Sequence, residues 1–289
     1  MMTPRLVMCC TPINREDYLA ELRYAVLASE FFRYLYPGAQ VSIGTTPNAV
    51  VPSEYDQFFD LIKFPFEDGP FALQRQKFYK QTIESSDSDI PLIFAGVDVL
   101  FTNRLGARLE SARYAYSYRY HPAMPYCSDF FFVNSTGKEE ALKFQEEVIN
   151  VMNWQPQSIR SSWADQISIA AVVGHLKLEE FDGRYTKAPR LPALDLVPGD
   201  IFLYTPNDAF FSDAKKFNGY IHNDVVSDVE WLRLFDEKVS VHFKGNRKRQ
   251  FFFFAALGYI LKRINPYRSA FSYPFERLFD GFIQRQPSR

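Results

Sequence analysis

The chain is poor in the features that would assign it quickly to several large classes. Only three of its 289 residues are cysteine, Cys9, Cys10 and Cys127. An odd count with two adjacent members is no disulfide framework, and it points to a reducing compartment, the cytoplasm. Long apolar runs are missing as well. The longest, FFFFAALGYIL from Phe251 to Leu261, has 11 residues, well short of the roughly 20 that span a bilayer. The opening MMTPRLVMCCTP lacks an apolar stretch of signal-peptide length. Net charge is only −1, which gives no nucleic-acid signal. Repeats and low-complexity segments are absent. No glycine occurs in CCTPINRED, the segment after the first predicted strand. That argues against the glycine-rich phosphate loop a nucleotidyltransferase would carry there.

Aromatic residues, by contrast, are abundant: 17% of the chain, with 29 phenylalanines. Most are expected to fill a core. Charge is unevenly spread. From Arg247 to Arg289 there are nine Lys/Arg and two Asp/Glu, so the rest of the chain is acidic. This basic, aromatic end suits either a helix packed on the domain or contact with an anionic membrane surface.

The patterning predicts an α/β fold. RLVMCC, Arg5 to Cys10, reads as a buried strand. A helix follows, with Leu19, Leu22, Val26, Ser29 and Phe32 at helical spacing, and Pro37-Gly38 ends it. AQVSIGT and FDLIKF read as strands, FALQRQKFYKQTIES as a helix, and Ile90 to Phe101 as another strand. This order implies crossover connections and a mainly parallel sheet flanked by helices, with ligands at the carboxyl ends of its strands. Asp98 lies where that edge should be. The tyrosine-rich stretch from Tyr114 to Tyr126 reads as largely loop, where acceptor contacts are expected. DFFFVN is a further strand. Thr136 and Glu139 have capping-box spacing before a helix through Met152. SSWADQISIAAVVG is a short helix, and GDIFLYT and VSVHFKG are late strands.

Three segments near predicted strand ends carry chemistry together: Asp98, the pair Asp165-Gln166 in SWADQ, and VHFKGNRKR with His242, Lys244, Gly245, Arg247 and Lys248. A carboxylate and an imidazole suit Mn²⁺, and Mg²⁺ accepts the carboxylate. Lysine and arginine neutralise phosphate charge, and a glycine lets backbone approach it.

In this order, over roughly residues 5–250, the segments resemble the nucleotide-sugar glycosyltransferases of the GT-A fold, specifically the glycogenin and lipopolysaccharide galactosyltransferase family. That family has an Asp-x-Asp strand end, a later Asp-Gln on a helix and a His-Phe-x-Gly-x-x-Lys segment. The resemblance implies a GT-A-like, Rossmann-like domain over 1–250 and a helical basic C-terminal extension over 251–289. It implies transfer of a sugar, with retention of configuration, from a nucleotide-diphosphate donor, UDP-linked, to a glycan or lipid-linked acceptor. Asp98 and His242 would hold Mn²⁺ or Mg²⁺. Lys244, Gly245 and Lys248 would hold the diphosphate. Tyr18, in the first loop with Thr11 and Pro12, would meet the nucleotide base. Arg75, on the helix before the metal strand, and Gln166 would touch the donor, and Asn134 would approach the sugar. Asp165 would face the sugar or acceptor. An inverting reaction would need a carboxylate base, for which Asp165 and Asp129 are the candidates.

Gly96 departs from the pattern, standing where the first Asp of the metal motif is usual. It leaves two alternatives to the metal-assisted enzyme: metal-independent transfer on Lys244, Arg247 and Lys248, and an inert domain of the same fold serving in binding or assembly. No nucleic-acid partner is expected, and membrane contact would run through 247–289.

Overall fold

The computed structural model describes residues 3–12, 18–67, 69–105, 112–118, 126–155, 164–173, 201–203, 218–221 and 240–243. The expected C-terminal extension, 251–289, lies outside them. Strand β1 (Arg5–Cys9) leads to helix α1 (Tyr18–Leu35) and β2 (Val41–Thr45). Next come β3 (Asp60–Lys63), α2 (Phe71–Ser85), β4 (Leu92–Ala95) and β5 (Val99–Phe101). After β6 (Tyr114–Tyr118) and β7 (Tyr126–Val133) come α3 (Lys138–Trp154) and α4 (Ala164–Val172). The short strands β8 (Ile201–Leu203), β9 (Asn218–Ile221) and β10 (Ser240–Phe243) complete the set.

Seven strands form the main sheet in the order β3-β2-β1-β4-β7-β6-β8. β1 pairs in parallel with β2 and β4, β2 with β3, and β6 with β8. β7 is antiparallel to both neighbours, β4 and β6, and is the one reversed strand of this sheet. A second sheet has the order β5-β10-β9. The mainly parallel α/β sheet expected from the sequence is therefore present.

Both faces of the main sheet are buried, which explains why its strands read as continuous apolar runs rather than alternating ones. Alternation sorts them all the same. Leu6, Met8, Ile93, Ala95, Phe130 and Phe132 pack with α1 through Leu22, Val26 and Phe32. Val7, Cys9, Leu92, Phe94, Phe131 and Val133 pack with α2, α3 and α4 through Phe78, Phe144 and Ile167. On this second face the rings form a continuous ladder. Tyr79 lies on Phe94 at 4.5 Å, Phe94 stacks on Phe131 at 5.6 Å, Phe131 on Tyr116 at 4.3 Å, and Tyr116 meets Phe144 at 5.7 Å. These four steps join three strands to two helices, each contact adding to the area removed from water. The described aromatics are thus chiefly core.

Helix α1 ends as its punctuation predicts: Ala39 N–H donates to Tyr36 O at 3.0 Å, and Gly38 takes φ 81°, a conformation glycine adopts without strain. Leu19 departs from its predicted buried stripe and is 53% exposed. Three other expectations are corrected, and one strand was not anticipated. The run Ile90–Phe101 is two strands, because Val99 N–H turns back to Gly96 O at 3.2 Å and the chain changes sheets there. The tyrosine-rich stretch is strand at both its described ends, β6 and β7, and Tyr114, Tyr116 and Tyr126 are buried in the core rather than offered to an acceptor. The capping box is not formed. Thr136 lies in a single 3-10 turn, Gly137 precedes α3 without a side-chain cap, and Glu139 pairs outward with Lys143 at 2.7 Å. Finally, β9 is a strand the sequence pattern did not signal.

Candidate functional site at the carboxyl edge of the sheet

Parallel strands leave the chain at one edge after each pass, so the element that follows starts there. Helix α2 leaves the segment after β3 and presents its first turns at that edge, with Arg75 on them. Strand β7 is reversed, so its beginning lies at the same edge: its pairing with β4 runs from Leu92↔Val133 to Ala95↔Phe130. Ser128 sits just before that last pair. Helix α4 brings its own first turn with Asp165.

These three residues meet. One guanidinium nitrogen of Arg75, Nη2, donates to Asp165 Oδ2 and to Ser128 Oγ, the latter at 2.7 Å. The Arg75 Cζ also lies over the Phe71 ring, 5.9 Å from its centroid. Asp165 is 2% exposed, so the ion pair is largely out of water, where losing either partner is costly. Asp165 Oδ1 accepts from Gln166 N–H at 2.8 Å, at a helix start where negative charge is favoured. Both carboxylate oxygens are thus engaged, one by Arg75 and one by the first turn of α4.

Asp98 lies at the same edge, in the turn between β4 and β5, and is half-buried. Strand β5 pairs antiparallel with β10, and Val99 is the direct partner of His242. Backbone pairing thus sets Asp98 one residue from the position facing His242, although the two are 144 residues apart in sequence. The side chain of His242 lies outside the described residues, as do Lys244, Gly245, Arg247 and Lys248. Among the described residues no group of three or more His, Cys, Asp and Glu forms a metal cluster. Gly96 contributes no side chain, so a cation here would have a carboxylate and an imidazole as protein ligands and would need a third partner, such as a diphosphate.

Of the first-loop candidates, Thr11 and Pro12 follow β1 at this edge. Thr11 is fully buried, and its hydroxyl has no partner among the described residues; Pro12 is exposed. Tyr18 opens α1, is buried in the core, and shares a hydrogen bond with Thr45 Oγ1 at 3.1 Å. Burial pushes its phenol pKa up, and the Thr45 bond offsets part of that. Gln166 is buried beside Asp165. Asp129 is on β7, with its side chain outside the described residues.

Asn134 is a correction. It follows Val133, the partner of Leu92 at the start of β4, so it lies at the opposite edge from Asp98. Its amide donates to Ala112 O at 3.1 Å, and its Oδ1 accepts from Ser135 N–H at 2.8 Å; it anchors the turn before α3. Ser128, conversely, was missed. A serine within YCSDFFFV carries no sequence signal, and only the strand pairing puts it beside Arg75.

No family model matches the chain, and no curated protein does. Solved structures do resemble it. The glycosyltransferase GlyE from Streptococcus pneumoniae aligns over 95% of this chain and 66% of its own, at 10% identity and a TM-score of 0.52. This chain thus spans about two thirds of that structure. A glycosyltransferase involved in glycosylation of the major capsid of PBCV-1 aligns over 89% of this chain and 100% of its own, at 12% identity and a TM-score of 0.45. The galactosyltransferase LgtC, in complex with donor and acceptor sugar analogs, aligns over 88% and 95%, at 12% identity and a TM-score of 0.48. The likeness to GlyE, at that low identity, establishes architecture: the chain has the GT-A-like, mainly parallel α/β fold found in glycosyltransferases.

Proposed function

We propose that this protein is a glycosyltransferase that moves a sugar from a nucleoside-diphosphate donor, UDP-linked, to a glycan or lipid-linked acceptor. The observation that carries the reading is the convergence of Arg75, Asp165 and Ser128 at the carboxyl edge that also bears Asp98. The fold shared with GlyE and the late His-Phe-Lys-Gly-Asn-Arg-Lys segment support it.

In such a transfer the bond between the anomeric carbon and the diphosphate oxygen breaks. A new bond forms from that carbon to an acceptor hydroxyl oxygen, and the hydroxyl proton leaves with the departing diphosphate. The site must therefore stabilise charge on the diphosphate. Lys244 and Lys248 are the cations assigned to it, and Gly245 the backbone approach. Arg75, held by Asp165, contributes a fixed positive charge and donor fork toward the sugar and diphosphate. A divalent cation, Mn²⁺ or Mg²⁺, held by Asp98 and His242 would act as a Lewis acid on the leaving group. Asp165, bound to Arg75, positions that cation; the resemblance gives retention as the route, and Asp129 stays the carboxylate candidate for an inverting one. Gly96 favours one rival, an inert domain of the same fold that binds without turnover.

The test is thermal unfolding in the presence of a panel of nucleotide sugars, with and without Mn²⁺. A ligand that binds the folded state raises stability as RT ln(1 + [L]/Kd), about 2.7 kcal/mol at a hundredfold excess over Kd. Stabilisation by a UDP-sugar supports the reading. No shift with any nucleotide sugar overturns it, and stabilisation without release of diphosphate to any acceptor favours the inert domain.

A further inference from the structure

We infer that Gln155 is a positioning residue, whose side-chain amide clasps the first turn of α4 and so sets where Asp165 meets Arg75. Gln155 closes α3, its own N–H donating to Val151 O at 3.0 Å, and it is fully buried. From that fixed origin Nε2 donates to Ala164 O at 3.2 Å and to Ser168 Oγ at 2.6 Å. A backbone carbonyl only accepts, so the end of the amide that meets Ala164 is the nitrogen, and its two N–H groups match the two acceptors.

The two acceptors bracket Asp165. Ala164 and Ser168 stand one helical turn apart on the same face of α4, and Asp165 lies between them in the chain. A grip on both ends of that turn sets its rotation about the helix axis and its height along it. Burial of Ala164, Ile167, Ile169 and Ala170 also holds α4 on the core, but burial is non-directional, whereas a hydrogen bond fixes an angle as well as a distance. Direction counts here, because Asp165 has to meet an arginine on a different helix, α2. Helix α3 is a firm base for the grip. It runs for 17 residues, sets Phe144 against Tyr114 and Tyr116 of β6 at 5.6 and 5.7 Å, and meets α2 through Lys80 and Glu146 at 3.7 Å. The clasp carries the placement of α3 to the ion pair at the carboxyl edge. The consequence for donor binding rests on the function proposed above; the effect on the Arg75–Asp165 pair does not.

The test has two arms. In the full chain labelled with ¹⁵N-arginine, the Arg75 Nε–H signal is assigned by its loss in Arg75→Lys. Gln155→Met keeps an unbranched side chain and removes both donors; it is expected to shift that signal, although Gln155 touches α4 and not Arg75. Ser168→Ala, which removes one of the two acceptors, is expected to shift it less. Val26→Ala is the control: it thins the core on the opposite face of the sheet and is expected to leave the signal in place. An Arg75 signal unmoved in Gln155→Met would overturn the inference, and so would an equal shift in Val26→Ala, which would mean general loosening. If Gln155→Met does not fold, Ser168→Ala against the same control decides. The second arm titrates uridine diphosphate. Gln155→Met is expected to bind it roughly five- to tenfold more weakly, the scale of one hydrogen bond's net worth. Unchanged affinity would remove Gln155 from donor binding. A wild type that binds no uridine diphosphate would count against the transferase reading, while the NMR arm still decides what Gln155 does to the ion pair.

Discussion

Val99 and His242 are direct partners across the antiparallel pair β5–β10, and Asp98 immediately precedes Val99. The main chain therefore brings the carboxylate of one conspicuous segment to the imidazole-bearing position of another. The pairing of the peptide backbone enforces the proximity of the two positions.

Asp98→Asn keeps shape and removes charge. We expect Mn²⁺-dependent stabilisation by uridine diphosphate to weaken at least tenfold, since even outer-shell changes cost metal sites 10- to 100-fold, roughly. Equal stabilisation of wild type and variant in a thermal titration would show that Asp98 holds no cation.

Asp165→Asn should be structurally expensive, because it leaves Arg75 charged and largely out of water. Breaking one side of a buried pair costs about 3–5 kcal/mol, and the exposure remaining to Arg75 (14% of its side chain) favours the lower figure. The double variant with Arg75→Gln should lose less than the two single losses combined. Urea unfolding of the four proteins measures this directly.

Glu30 predicts a pH dependence. Burial raises its carboxyl from 4.5 to about 8, opposed in part by Arg33. The folded state keeps the proton between those values while the unfolded chain releases it. Stability from this group is therefore full below about 4.5 and is lost as pH rises through about 8. Glu30→Gln stays neutral throughout. Its Tm should match wild type near pH 4 and exceed it by a margin that widens as pH rises from about 4.5 to about 8. A parallel pair of Tm–pH curves would disprove the assignment.

Gly44 in β2 lies under the Phe78 ring of α2, and an added Cβ would overlap that ring. Gly44→Ala should cost about 1–3 kcal/mol through overpacking, and Gly44→Ala with Phe78→Leu should recover part of it. Chemical denaturation of both variants checks the order.

Much of the fold was readable because its strands are buried on both faces and its helices are punctuated. Helix α2 matches its predicted range, and Pro37-Gly38 stops α1 where a left-handed residue is needed. Failures came where long-range pairing decides. Residues 90–101 read as one apolar run, yet the chain changes sheets at Gly96 because β5 has a partner in β10. Tyrosines at 114, 116 and 126 read as surface chemistry, but ring stacking across β4, β7 and β6 makes them core. Of the site, Arg75 and Asp165 were singled out separately on motif grounds; their ion pair joins residues 90 apart and could not be read from spacing. Asn134 was misplaced because a reversed β7 sends its end to the far edge. Ser128 was invisible, since a bulge, not a motif, gives it its position.

Diphosphate release from UDP-sugars, with Mn²⁺ and a panel of glycan and lipid-linked acceptors, tests the transferase assignment most directly. We expect one donor–acceptor combination to release diphosphate, and Arg75→Ala to reduce that release by roughly 100-fold or more, the scale on which loss of a charge-stabilising donor slows such chemistry. Binding without release by any combination, or release undiminished in Arg75→Ala, would contradict a catalytic site at this edge of the sheet.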